Sequence, residues 1–327
     1  MNSIQPGFKV LLLAGGVGGA KLAEGLAACC LADQLSILGN VADDQRFHGL
    51  WVSPDIDTLT YSLAGLINRE QGWGLKGDTN ACLQALQRLG QETWMWLGDQ
   101  DFATHLLRTR LREEGWRPTE IAQHLAQQLG VGPRILLPTD DCIQTQVRTA
   151  QGWLGFQEYF VRERCQPEVL ELAIRGIEQA RPTPEALAAI AEAELIIFAP
   201  SNPLLSIDPI LAVPGIRAAI SASPALKIAV SPLIAGKAVK GPAANLLQSL
   251  GLRADAMGVA EYYRDLVQVM VLDQADAALV PEVAGLGIIP WCLDTLMQDS
   301  ASKERLAASL LLRADACLNP VNLAQAI

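Results

Sequence analysis

Short, wholly apolar runs alternate along this chain with longer amphipathic stretches. Lys9–Ala14 (KVLLLA) is closed by glycines and reads as a buried parallel strand, with a helix following over Lys21–Ala28. Leu35–Gly39 reads as a second strand that ends at Asn40. Helices are expected near Thr58–Asn68 and Thr79–Leu89, a strand over Glu92–Leu97, and helices over Ala103–Glu114 and Thr119–Leu129. The last of these opens with Pro118-Thr119 and stops at Gly130. Pro133–Leu137 is apolar again. From Ile143 to Val161 the pattern becomes alternating (IQTQVRT, then WLGFQEYFV) around Ala150-Gln151-Gly152, as in a β-hairpin. Beyond it the earlier rhythm resumes, with strands at Leu195–Ala199, Ile228–Ser231 and Val267–Leu272. Helices are expected at Pro184–Ala193, Ala243–Leu250 and Ser302–Leu312. The pattern predicts an α/β fold, a Rossmann-like parallel sheet flanked by helices, with ligands at the carboxyl ends of the strands. A single domain over residues 1–327 is expected. A helical and hairpin insert, over about residues 60–180, would cover the active site.

Composition narrows the function. Half of the 327 residues are apolar and few are aromatic, which allows a large aliphatic core. The net charge is −10 with no basic run, so nucleic acid is disfavoured as a partner. An anionic ligand would have to be met by backbone N–H groups, a metal and a few cations. The cysteines (Cys29, Cys30, Cys82, Cys142, Cys165, Cys292, Cys317) are odd in number and lack a Cys-x-x-Cys pair. Reduced thiols in a cytoplasmic protein follow, with zinc disfavoured. The first residues do not read as a signal peptide, and no apolar stretch reaches the length of a membrane span.

The candidate chemistry begins at Gly15-Gly16-Val17-Gly18-Gly19-Ala20-Lys21. A Walker A loop is excluded because the second glycine and the metal-binding hydroxyl are missing. A dinucleotide fingerprint fails at its third glycine, where Lys21 stands. The second strand also ends in Asn40 rather than an acid, which argues against an NAD-dependent oxidoreductase. A phosphate cradle at a helix N-terminus remains, with Lys21 adding a point charge. The competing reading is a tight turn without a ligand, which would not require four glycines.

Asp43, Asp44, Asp55 and Asp57 crowd the segment after the second strand. They could hold magnesium against a phosphate or accept a proton from an attacking hydroxyl. They could equally be solvated turn residues, with Asp57 a helix cap. Leu97-Gly98-Asp99-Gln100-Asp101 leads to His105. There Asp101 could be an N-cap and His105 an ordinary histidine. His124 reads as structural, and Thr139-Asp140-Asp141 is a further acidic turn. Ser201 and Asn202, between Pro200 and Pro203, suit hydrogen bonding to a base or ribose. The loop Lys237–Pro242 is a second candidate for phosphate or base.

Together these stretches resemble the 2-phospho-L-lactate transferase family of deazaflavin (coenzyme F-420) biosynthesis. The matching segments include AGGVGGAKL, NVADD, SPDIDT, LGDQDFATHLLRT, TDDCIQTQV, FQEYFV, APSNPLLSIDPILAVPGIR, AVSPLIAGKAVKGPA, MGVAEYY and DTLM, in family order from Gly15 to Met297. Gluconeogenesis factors that bind UDP-sugars share the glycine-rich start and the Ser-Asn-Pro loop. They match LGDQDFATH and FQEY poorly, and supply the alternative of a non-enzymatic regulator. The resemblance implies transfer of a phospho-acid (phospholactate, phosphoenolpyruvate or phosphoglycerate type) from a GDP-linked donor to the ribityl hydroxyl of the deazaflavin Fo. GMP leaves, and Mg2+ assists. It implies that Gly16 to Lys21, with Gly15, Val17, Gly18 and Gly19, cradle the donor diphosphate. Ser201, Asn202, Pro203, Gly241 and Pro242 would shape the guanosine side. Asp57 would orient or deprotonate the hydroxyl, assisted by Asp44. Asp43 and Asp44 would bind the metal, and Trp96, Asp99 and His105 would line the acceptor pocket. Family members are often homodimers. Trp96 stands where relatives often carry a basic residue, Gln100 replaces the arginine of a Gly-Asp-Arg-Asp run, and Gly19-Ala20 replaces a Thr-Pro pair.

Overall fold

The computed structural model describes residues 7–238 and 243–319. Its centre is a parallel sheet of seven strands: β1 (Val10–Ala14), β2 (Leu35–Gly39), β3 (Arg134–Leu136), β4 (Leu195–Phe198), β5 (Leu226–Val230), β6 (Val269–Asp273) and β7 (Ile289–Leu293). The spatial order is β7-β6-β5-β4-β1-β2-β3. The chain therefore builds outward from β1 on one side through β2 and β3, then returns to β1's other edge with β4. Val10 sits in register with Leu35 on one side and Leu195 on the other. The point where the order reverses, between β1 and β4, is where open α/β sheets leave a crevice. All five residues of β1 are buried, which is why an unbroken VLLLA run forms a central strand.

Around the site run α1 (Gly16–Cys29), α2 (Pro54–Leu63), α3 (Ala81–Arg88) and α4 (Asp99–Glu113). The C-terminal helix, Ser300–Leu318, crosses α1 so closely that a Cβ on Gly25 would collide with the Lys303 carbonyl. The Rossmann-like α/β expectation holds, but several local readings do not. Helix α1 starts within the glycine run, at Gly16, whose φ of +61°, open to a glycine, turns the chain out of β1. Helix α2 spans Pro54–Leu63, not Thr58–Asn68, since Pro54 supplies a preformed first turn. Glu92–Leu97 is irregular, and its aromatic residues pack onto a small core of Phe47, Val52, Leu83, Leu97 and Phe102. The hairpin strands are Gln144–Thr149 and Gly152–Gly155, joined by a third strand, Glu171–Arg175. Glu158–Arg162 leaves the expected strand and coils as a wide helical turn, burying Tyr159 against Val147 and Leu205. Strand β7 and the small hairpin Gln45–Phe47/Leu50–Val52 had no counterpart in the sequence reading. Strand β3 joins the main sheet beside β2, so the stretch 60–180 is interrupted by sheet.

Candidate active site

A cavity of about 480 Å³ opens at the β1/β4 crevice. Its floor is the turn after β1, with Gly15, Gly16, Val17, Gly18 and Lys21. One wall is the loop after β4, with Pro200, Ser201 and Asn202. The opposite wall carries Asp43 and the inward residues of α2, Asp55, Asp57 and Tyr61. Gly18 and Asp57 thus border one space. An apolar arm extends outward, bounded by Met95, Trp96, Trp73, Phe156 and Phe160. Trp73 meets Trp96 edge to face at 5.4 Å, and Phe156 stacks on Phe160 at 5.5 Å. The site therefore has a polar end, rich in backbone N–H groups and carboxylates, and a flat aromatic end.

The glycines do two jobs. A Cβ on Gly18 would run into the Pro200 carbonyl, and one on Gly19 would lie 2.8 Å from Ser201 Oγ. Gly15 faces Asp55 Oδ2 and Ser206. Part of the glycine content is thus explained by the β4 loop packing onto the turn, and Gly19 does not border the cavity. Ser201 Oγ donates to the Gly15 carbonyl at 2.6 Å and accepts from its N–H at 3.3 Å. This hydroxyl ties the two loops together rather than pointing to a ligand. Asn202 Oδ1 accepts from Leu204 and Leu205 N–H, while its Nδ2 is buried without a partner. Pro203 starts the helical turn behind it and stays out of the cavity. Lys21 Nζ donates to the Met297 carbonyl at 2.8 Å. Gly241 and Pro242 lie outside the described residues.

The acids divide into different environments. Asp55 accepts from Asn40 Nδ2 at 3.0 Å, which gives the Asn40 side chain a structural role. Asp44 accepts from Ser53 Oγ at 2.7 Å and borders a second cavity of about 220 Å³, which it shares with Asp43. Asp43 Oδ1 and Asp44 Oδ1 have no hydrogen-bond partner. Burial pushes Asp44 up to about 7 and Asp55 to about 6. Burial, with the nearby Asp55 charge, raises Asp43 well above the ordinary carboxylate range. Asp57 Oδ1 accepts from Arg108 Nη2, and its Oδ2 has no hydrogen-bond partner. His105 is 1% exposed and borders the cavity, with Nδ1 3.8 Å from Asp57 Oδ2 and Nε2 3.5 Å from Asp101 Oδ1. Tyr61 Oη donates to Asp101 Oδ1 at 2.7 Å. Burial pushes Asp101 up, but the nearby His105 ring and the Tyr61 hydroxyl outweigh it and leave the carboxyl below its ordinary value.

Asp99 is absent from the cavity. It accepts from Thr79 Oγ1 and from the N–H groups of Ala81 and Cys82, capping α3. The acid that faces inward is Asp101, two residues on, where the helix turns its buried face. Asp78, not Asp101, caps α4. Asp140 accepts from Thr119 N–H and Arg117, and Asp141 from Arg181 N–H, so the Thr139-Asp140-Asp141 turn is structural. His124 packs edge to face on Trp116 at 5.6 Å. Arg108, Tyr61, Trp73 and Phe160 were missed as site residues. Arg108 carried a signal in principle, standing one turn after His105 on the same helix face.

Residues 10–304 match the family described as 2-phospho-L-lactate transferase CofD. The chain belongs to this 2-phospho-L-lactate transferase family. It is 39% identical to a phosphoenolpyruvate transferase of Kitasatospora aureofaciens, covering 94% of this chain and 98% of that protein. It is 37% identical to a 2-phospho-L-lactate transferase of Methanosarcina acetivorans, covering 91% of this chain and 96% of the relative. The fold is shared with protein BH3568 from Bacillus halodurans, at a TM-score of 0.60 and 16% identity over 93% of this chain and 99% of that one. That protein is described as a member of the UPF0052 family. Among the described residues, no single helix is long and apolar enough to cross a membrane.

For a member of the 2-phospho-L-lactate transferase family, the test of a magnesium site is the chemistry of its acids. Asp43 Oδ1 and Asp44 Oδ1 are unpartnered oxygens beside a third carboxylate, Asp55. Unpaired buried carboxylates of one sign are unfavourable without a cation, and hard oxygen donors of this kind suit Mg2+. The residues fit the ion. Asp57, Asp101 and His105 also stand close enough to share a metal, but Arg108 already places a fixed positive charge on Asp57.

Proposed function

We propose that this transferase moves a three-carbon phospho-acid, of the phospholactate or phosphoenolpyruvate type, from a GDP-linked donor to the ribityl hydroxyl of the deazaflavin Fo in coenzyme F-420 biosynthesis. The observation that carries the reading is the single cavity joining the glycine turn, Asp57 and the aromatic arm. The N–H groups at the start of α1 favour a diphosphate. Asn202 Nδ2, buried and unpartnered, is a donor for the nucleotide end. The arm of Trp73, Trp96, Phe156 and Phe160 suits a flat heteroaromatic acceptor.

The acceptor hydroxyl attacks the phosphorus that carries the acid, forming a new P–O bond. The bond from that phosphorus to the oxygen bridging the guanosine-bearing phosphate breaks, and GMP departs with the bridging oxygen. Asp57 Oδ2 orients the hydroxyl and takes its proton, a role that requires positioning more than covalent chemistry. Asp43 and Asp44 would hold Mg2+, which supplies neutralising charge for the diphosphate. The working form we propose is a cytoplasmic homodimer.

The test is to mix the protein with Mg2+, Fo and the GDP-linked donors and measure GMP and the phosphodiester product. Both are expected in equal amounts. A non-enzymatic regulator would instead bind a UDP-sugar and release nothing.

A further inference from the structure

Arg108 lies behind the cavity wall, buried, with no surface on the cavity itself. Its Nη2 donates to Asp57 Oδ1, and its Nη1 lies 3.1 Å from His105 Nδ1. A guanidinium has only donors. His105 Nδ1 must therefore offer its lone pair, which assigns the ring proton to Nε2, 3.5 Å from Asp101 Oδ1 and without a hydrogen-bond partner. Asp101 is held in turn by Tyr61. In this arrangement His105 Nδ1 has no proton to donate to Asp57 and no lone pair left for a substrate hydroxyl.

We propose that Arg108 is a positioning residue for the transfer reaction, and that His105 serves it as a hydrogen-bond acceptor rather than as an acid or base. Arg108 occupies Asp57 Oδ1 and so selects Oδ2 as the oxygen presented to the acceptor hydroxyl. The His105 ring, with the Asp101 carboxylate 3.5 Å beyond its far side, orients the guanidinium through Nδ1. The bonded run His105–Arg108–Asp57 acts as a brace on the reacting atoms, with Asp101, held by Tyr61, beside the ring. A reactive group displaced by about 1 Å can cost 10²-fold in rate. The inference rests on the proposed transfer for its kinetic part only.

Two measurements decide it. The first needs no substrate. Imidazole nitrogen NMR should show His105 as the Nε2–H tautomer, mixing with the other tautomer in Arg108→Gln. An Nδ1–H ring in the wild type overturns the proposal. The second is kinetic, with pH profiles of kcat and KM. His105→Gln keeps an acceptor. It should stay within about tenfold of the wild-type kcat, with the pH profile unchanged, whereas His105→Phe should lose about 10²-fold in kcat at little cost in donor KM. Equal losses in both variants, or a limb of the profile that disappears in His105→Gln, would make the histidine an acid or base and overturn the idea. Arg108→Gln strands a buried carboxylate and can unfold the protein. Arg108→Lys, which keeps the charge but loses the planar fork, is therefore the companion and should also lower kcat. A wild type that transfers nothing to Fo would remove the substrate reading, while the tautomer would still decide the direction of the Arg108–His105 bond.

Discussion

Asp78 and Asp99 cap each other's helices. The Asp78 carboxylate accepts from Gln100 and Asp101 N–H at the start of α4, and Asp99 accepts from Ala81 and Cys82 N–H at the start of α3. The two helices are locked at their N-termini, and Gly98 is required between them because a Cβ there would collide with Asp78. The Thr79 hydroxyl first, and the Cys82 N–H next, hold the Asp99 carboxyl below its ordinary value. Its contribution to stability is thus present above the unfolded value of about 3.9 and lost as the pH falls through the depressed one. Asp99→Ala should lower the thermal midpoint at neutral pH and leave the KM for the acceptor unchanged. A raised acceptor KM in a normally stable variant would return Asp99 to the binding site.

Gly18 is where the β1 turn and the β4 loop touch. An alanine Cβ would meet the Pro200 carbonyl, a backbone atom that can move only with its loop. Gly18→Ala should cost about 1–3 kcal/mol by forced repacking and weaken nucleotide binding. Denaturant unfolding and GDP titration check the two effects. A fully stable variant with tight binding would show that the loop yields freely.

The carboxylates of the polar end predict an unusual pH dependence. Asp44 at about 7 and Asp55 at about 6 are raised above the unfolded value of about 3.9. The folded protein then holds these protons more tightly than the unfolded chain. Their stabilisation is full below pH about 4 and is lost as pH rises through about 6 to 7. Mg2+ should raise the thermal midpoint more at pH 8 than at pH 5, and Asp44→Asn should shrink that difference. A midpoint indifferent to Mg2+ at both pH values contradicts a metal site on these acids.

Asp57→Asn keeps the size of the side chain and an oxygen for Arg108 while removing the basic oxygen. GDP binding should survive, and transfer should fall by at least 10²-fold. Turnover at the wild-type rate would take Asp57 out of the reaction.

Trp96 stands against Trp73 in the apolar arm. Trp96→Ala should raise the KM for Fo by about 10-fold or more, since stacking on an aromatic is worth about 1–3 kcal/mol, and leave the donor KM unaltered. A change confined to the donor would place the flat acceptor elsewhere.

The central strands were legible in the sequence because strands buried on both faces of a parallel sheet must be apolar throughout, as in Val10–Ala14 and Leu195–Phe198. The glycine turn and the acidic segment were legible because four glycines and four aspartates fall within two short stretches, more than a single turn or cap needs. Strand β7 was not, since Ile289–Leu293 is only partly buried at the sheet's edge and contains a proline. The tertiary structure alone decided that Asp101 and not Asp99 faces the cavity, that Ser201 is spent on Gly15, and that Arg108 reaches Asp57 from another helix. A side chain's chemistry depends on which face of its helix turns inward and on which distant group it meets there. Local sequence encodes the first weakly, and the second exists only once the chain has folded.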